Sequence, residues 1–253
     1  MAENNGPKTN LYLIRHGEAV SNVEPIIGGM RGDRGLTPLG VAQAERLRDR
    51  LAATREIPAD ALIASDLPRA RQTAEIIQPA LRVSLHLDEA VQELRPGDAD
   101  GMHLDEFRVR YGIPDFRRDP FRPLATNGEN WPAFMLRVGE ALDRITRENE
   151  GKTIVVVSHG GVIEGSFAYF MGLPTLAAPR IDFFPHNTSI THWQRRKRAD
   201  DSYYWRLVAY NDVLHLRDLG TPDITLWEEM VAHPPQVGHD EASVPLPPRD
   251  GKR

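Results

Sequence analysis

Two apolar runs in this chain end on a histidine followed at once by glycine: "YLIRHG" at residues 12–17 and "VVVSHG" at residues 155–160. A strand that only fills a core has no reason to close on an imidazole, and the first run also carries Arg15 beside it. In open α/β sheets the carboxyl ends of the strands line the ligand crevice. His16 and His159, delivered in the same strand–His–Gly context, are therefore expected to face one another across one pocket. A glycine after each lets main-chain N–H groups approach a ligand closely. In "SDLPRARQTA" (65–74) a strand feeds a helix whose first turn carries Arg69, at an end that already favours anions. Arg15 and Arg69 offer planar forks suited to phosphate oxygens. Taken alone, Arg69 and Arg71 read as cations that merely solvate a helix. The two histidines change that reading.

The elements that must position these residues alternate between strand-like and helix-like stretches, which predicts an α/β layered fold. The first strand reads Asn10–Ile14. A helix follows with Thr37 as N-cap and Pro38 in its first turn, and Val41, Ala44, Leu47 and Leu51 form its apolar stripe. "DALIAS" (60–65) is a short buried strand, and "DLPRARQTAEIIQ" is the helix after it. Another helix is expected from about Pro132 to Asn149, with Phe134, Val138, Ala141, Leu142 and Ile145 on one face and Gly151 just beyond. "KTIVVVSHGGVIEGSFAYFMG" gives a buried strand, a glycine turn and a helix. "NTSITHW" and "YYWRLVAY" read as a closing strand pair around the charged turn "QRRKRADD". One domain over residues 10–217 is expected, after a loose polar start (1–9) and before a proline-rich, extended tail (218–253).

Bulk properties narrow the classes. The chain has 253 residues, 40% hydrophobic and 26% charged, which is ordinary for a globular protein. A net charge of −5 gives no support to a global role on nucleic acid or membrane. There is no cysteine, which removes disulfides, thiolate catalysis and cysteine-ligated zinc. "MAENNGPKTN" lacks the apolar core of a signal peptide, and no apolar run approaches membrane-spanning length, so a cytoplasmic protein is expected.

The blocks "LIRHGEAVSN", "IASDLPRARQTAEII", "QELRPGDADGMHLDEF", "NGENWPAFMLRVGEALDRI" and "VVVSHGGVI" together resemble the histidine phosphatase superfamily, the phosphoglycerate mutase-like proteins built around an Arg-His-Gly motif. The resemblance covers roughly residues 10–210. It implies a three-layer α/β/α sandwich with a mostly parallel central sheet. It implies that His16 is the nucleophile that becomes phosphohistidine, and that Arg15, Arg69 and His159 surround the transferred group. Asn22, with the main chain of Gly160 nearby, would bind the phosphate. Glu93 would protonate the leaving oxygen and then activate the water that releases phosphate, with Glu89 as the fallback. One branch of the superfamily carries an aspartate right after the second histidine; here His159 is followed by Gly160 and Gly161, neither of them acidic, which supports Glu93. "LRPGDADG" lacks the arginine, histidine and tyrosine pattern usual in mutases, and residues 108–123 lack the Arg- and Pro-rich segment of cofactor-dependent mutases. Hydrolysis is therefore expected over isomerisation.

Elementary chemistry agrees with these residue types. Phosphoryl transfer spreads charge over three oxygens, so positioning and electrostatics dominate. Neighbouring cations should keep His16 unprotonated, and a neutral imidazole attacks well. Glu93 must start protonated, a state that burial or the phosphate charge would favour. With arginines neutralising the phosphate, no metal and no cofactor is expected. The expected partner is a small phosphorylated substrate, not nucleic acid or membrane; a homodimer is compatible with the sequence. The alternatives are a phosphoglycerate mutase, a metal hydrolase using the two histidines, and a phosphate-binding module without catalysis.

Other features carry two readings. "IIGGMRGDRG" (26–35), with Arg31 and Arg34, is either a mobile surface loop or a cover over the pocket beside Asn22. "DEFRVRYGIPDFRRDPFRP" (105–123) reads as a solvated face with its aromatics tucked inward, or as a cap whose arginines reach an acidic substrate. "QRRKR" (194–198) reads as a solvated hairpin turn. His86, His103, His186, His192, His215, His233 and His239 show no metal-ligand spacing. Asn187 matches the place of a pocket asparagine in the family.

Overall fold

The computed structural model describes residues 8–217 and Leu219, apart from residues 177–180, 182 and 199. The expected loose start, up to residue 7, and nearly all of the expected tail lie outside the described residues. Six strands form one sheet: β1 (Thr9–Arg15), β2 (Ala61–Ala64), β3 (Leu85–Leu87), β4 (Thr153–Ser158), β5 (Ile190–Lys197) and β6 (Tyr203–Asp212), in the order β3-β2-β4-β1-β5-β6. The first four in that order are parallel, while β5 runs antiparallel to both β1 and β6. Helices α1 (Val20–Val23), α2 (Pro38–Thr54), α3 (Pro68–Leu81), α4 (Leu104–Tyr111), α5 (Trp131–Glu148) and α6 (Gly160–Met171) complete the fold.

The pleat of the central strands divides the core into two layers. Side chains alternate across a strand, so Leu11, Leu13, Ile154 and Val156 face α5 and α6. Ile14, Val155 and Val157 face α2 and α3. Every residue of β4 is buried, as expected for a parallel strand covered on both faces. The α5 face predicted from periodicity is buried as read, from Phe134 to Ile145. Each such buried aliphatic or aromatic side chain contributes about 1.5–3 kcal/mol. The three-layer α/β/α sandwich is thereby confirmed. A smaller cluster of Ile27, Ala99, Leu104, Phe107, Leu124 and Ala125 holds the connecting loops.

Three local readings are corrected. Val41 of α2 is 38% exposed, and Gly40 and Gln43 are buried in its place. On that buried side the Gln43 side chain accepts the Glu18 N–H at 2.8 Å. "QRRK" is not a turn: β5 runs through Lys197, paired with Tyr203–Arg206. The long side chains lie along the solvated surface, Arg195 stacking 4.0 Å over the Tyr203 ring. The helix expected to end at Gln78 continues through Pro79 to Leu81.

Candidate active site

The register of the sheet brings the two histidines together. Arg15 of β1 pairs with Ser158 of β4, so the next residues of two parallel neighbours come out side by side. The His16 N–H donates to the Ser158 carbonyl at 2.9 Å. The imidazole rings of His16 and His159 stand 5.2 Å apart at 58°, both buried.

Each ring is fixed by a partner. The Gly17 carbonyl lies 2.7 Å from His16 Nδ1; a carbonyl only accepts, so Nδ1 carries the hydrogen and Nε2 is a bare lone pair. That lone pair receives Arg69 Nε–H at 3.1 Å. His159 Nε2 lies 2.9 Å from Ser65 Oγ, and its Nδ1 is buried with no hydrogen-bond partner. Burial first, then the Arg69 and Arg15 charges, hold His16 well below the ordinary histidine value. Burial, Arg69, His16 and Arg15 do the same to His159. Both rings are neutral at neutral pH.

Arg69 is 4% exposed and is aimed from the first turn of α3. Asp33 Oδ2 accepts from its Nη1 at 2.8 Å and from its main-chain N–H, and the Gly28 carbonyl accepts from Nη1 at 3.0 Å. The 26–35 loop is therefore tied to the site through Asp33 and Gly28, while Arg34 pairs with Glu24 and Arg31 lies against Asp100. Arg15 Nη1 donates to the Pro185 carbonyl at 2.5 Å.

The segment 184–188 straps this corner. Asn187 Nδ2 donates to the His16 carbonyl at 3.0 Å, and the Thr188 N–H reaches both the Arg15 and His16 carbonyls. Thr188 holds this position at φ 55°, a conformation rare for a β-branched residue. Asn211 anchors the strap, its Oδ1 accepting the His186 N–H at 2.8 Å and its Nδ2 donating to the Phe184 carbonyl at 3.2 Å.

Of the two candidate acids, Glu93 lies at the site and Glu89 does not. Glu93 Oε2 accepts the Gly161 N–H at 3.0 Å, in the first turn of α6 directly after His159. The Glu89 side chain is 76% exposed beside Arg95. A cavity of about 340 Å³ opens from Glu93, lined also by Gly28, Met30, Arg31, Leu67 and Arg95.

Some expectations change in detail. Gly17 does not open its N–H to a ligand, since that group donates to Thr73 Oγ1 at 3.0 Å. Its lack of a side chain serves packing instead: a Cβ would stand 2.5 Å from the Gly40 carbonyl oxygen of α2. Asn22 Oδ1 accepts the Ala19 N–H, capping the short α1. Gly160 lies beside Arg15, a Cβ there standing 3.8 Å from Nε. In 105–123 the solvated reading holds: Phe107 is buried, and Arg108, Arg110 and Arg118 pair with Asp105, Glu106 and Asp115. Phe121, 61% exposed, departs from it. Among the described residues no group of three His, Asp or Glu side chains is arranged to hold a metal ion, and no helix is long and apolar enough to cross a membrane. His233 and His239 lie outside the described residues.

A sheet switch point that gathers two neutral histidines and two buried arginines is the arrangement of a known class. The family model of the histidine phosphatase superfamily (branch 1) matches residues 11–213, and the chain belongs to that family. It is 30% identical over 219 residues to a probable phosphoglycerate mutase GpmB of Erwinia tasmaniensis, covering 85% of this chain and 98% of that one. It is 30% identical over 170 residues to an adenosylcobalamin/alpha-ribazole phosphatase of Salmonella typhimurium, covering 65% of this chain and 80% of that one. Among solved structures, a phosphoserine phosphatase of Entamoeba histolytica superposes with a TM-score of 0.65 at 28% identity, over 82% of this chain and 99% of that one.

Proposed function

We propose that the chain is a metal-independent phosphomonoester hydrolase that works through a phosphohistidine on His16 Nε2. The observation that carries this reading is the state of His16, with Nδ1–H spent on the Gly17 carbonyl and the unprotonated Nε2 held in place by the Arg69 Nε–H it accepts. Nε2 attacks phosphorus, and the bond to the ester oxygen breaks. The positive charge that develops on the ring is stabilised at Nδ1–H by the Gly17 carbonyl. Arg15 and Arg69 neutralise the charge on the phosphoryl oxygens and His159 binds them as a neutral hydrogen-bond donor, where such fixed donors lower the barrier most. Glu93 gives its proton to the leaving alkoxide. Its carboxylate then takes a proton from water as the water attacks phosphorus, freeing inorganic phosphate and restoring neutral His16. The cavity beside Glu93 receives the alcohol portion of a small phosphorylated substrate.

Support comes also from the family and from relatives that bear phosphatase names. A second reading, phosphoglycerate mutase, is favoured by the name of the Erwinia relative. It differs in returning the phosphoryl group to substrate instead of water. Free phosphate released from a panel of monoesters in the presence of a chelator, set against isomerisation of 3-phosphoglycerate, separates the two. His16→Ala should lose at least about 10³-fold in kcat and yield no acid-labile phosphoprotein. Retained turnover in that variant removes the nucleophile assignment.

A further inference from the structure

His16 and His159 are the same residue type in the same local context, yet their partners are opposite in kind. A carbonyl faces His16 Nδ1; a hydroxyl faces His159 Nε2. Which ring nitrogen holds the proton is set by the partner of the other nitrogen. Ser65 Oγ already accepts the Leu67 N–H at 3.3 Å, so its own hydrogen is available, and His159 Nε2 at 2.9 Å is where it points. A serine hydroxyl has one hydrogen to give. If His159 instead donated from Nε2, the buried Ser65 hydrogen would lack an acceptor, and a bare Nδ1 lone pair would face incoming phosphate oxygens. Both consequences are costly in a site where Ser65 and His159 are each fully buried.

We infer that Ser65 is a positioning residue that holds His159 as its Nδ1–H tautomer, so that the buried Nδ1 becomes a hydrogen-bond donor to the transferred phosphoryl group. The two imidazoles then divide the labour: His16 presents a lone pair at Nε2, and His159 presents a hydrogen at Nδ1. The inference rests on the phosphohistidine reading for its chemistry but not for its ring state.

The test is ring nitrogen NMR of the whole protein labelled at histidine, near neutral pH, with His159→Gln identifying the His159 signals. Wild type should show His159 protonated at Nδ1. Ser65→Ala should shift His159 toward the Nε2–H form. It should also cut kcat about 10-fold, with a smaller change in KM. Ser65→Thr, which keeps the hydroxyl, should restore both. A wild-type His159 protonated at Nε2, or a Ser65→Ala protein with unchanged tautomer and kcat, overturns the inference. The wild-type spectrum decides even where the variant fails to fold. Absence of phosphatase turnover in wild type would instead strike at the proposed function, leaving the tautomer result intact.

Discussion

A Cβ at Gly161 would stand 2.3 Å from Glu93 Oε1 and 3.0 Å from the Phe134 ring. The space of a missing side chain is thus occupied by a carboxylate from a distant loop. Gly161→Ala should push Glu93 away from the His159 corner, and misplacement of a reacting group by about 1 Å can cost about 10²-fold. The expected result is kcat lower by about 10–100-fold with a modest drop in Tm, from steady-state kinetics beside a thermal melt. Full activity would remove Glu93 from its assigned role. Arg15, His16, Arg69 and His159 were legible because each sits in a repeated strand-end or helix-start pattern. Asp33, Ser65 and Thr73 were not. They are short polar residues whose role depends on one hydrogen bond, and no periodicity marks such a residue. The glycine loop drew attention to Arg31 and Arg34, whereas Asp33 makes the contact that matters.

At the scale of elements, the strap 184–188 connects the mouth of the site to the end of β6 through Asn211. Asn211 sits at φ 55°, so Asn211→Gly keeps the backbone comfortable and removes only the amide. That variant should lower kcat about 10-fold through a looser Arg15–Pro185 corner. Asn211→Asp, which keeps the acceptor for the His186 N–H, should recover part of the loss. Equal kinetics in all three proteins would show the strap to be held without Asn211. The helices were readable from their 3.6-residue period and caps, Thr37 accepting the Gly40 N–H as expected. The β5 extension was hidden because its arginines and lysine imitate a turn. Near the sheet edge such residues are tolerated where one face meets water.

For the whole molecule, four partly or fully buried histidines resist protonation when folded. Burial brings His192 down to about 4; the same cause, with the Arg50 charge, brings His215 to about 4. Burial first, and then the neighbouring arginine charges, also hold His16 and His159 well below the ordinary histidine value. A group whose folded value is depressed takes up protons first in the unfolded chain, which for histidine begins near 6.5. Stability is therefore full above about 6.5 and falls as pH drops from there toward 4. Tm measured in steps from neutral to acidic pH should decline across that window, less steeply in His192→Asn. A flat Tm would mean that these rings open to solvent before they charge.

The position of β1 in the sheet also governs how the molecule is made. Both neighbours of β1, β4 and β5, come from the last part of the described chain. Synthesis runs at about 5–20 residues per second, so a ribosome delivers β1 and then keeps it waiting about 10–40 s for its partners. During that interval the nascent apolar strand lacks both of its native neighbours.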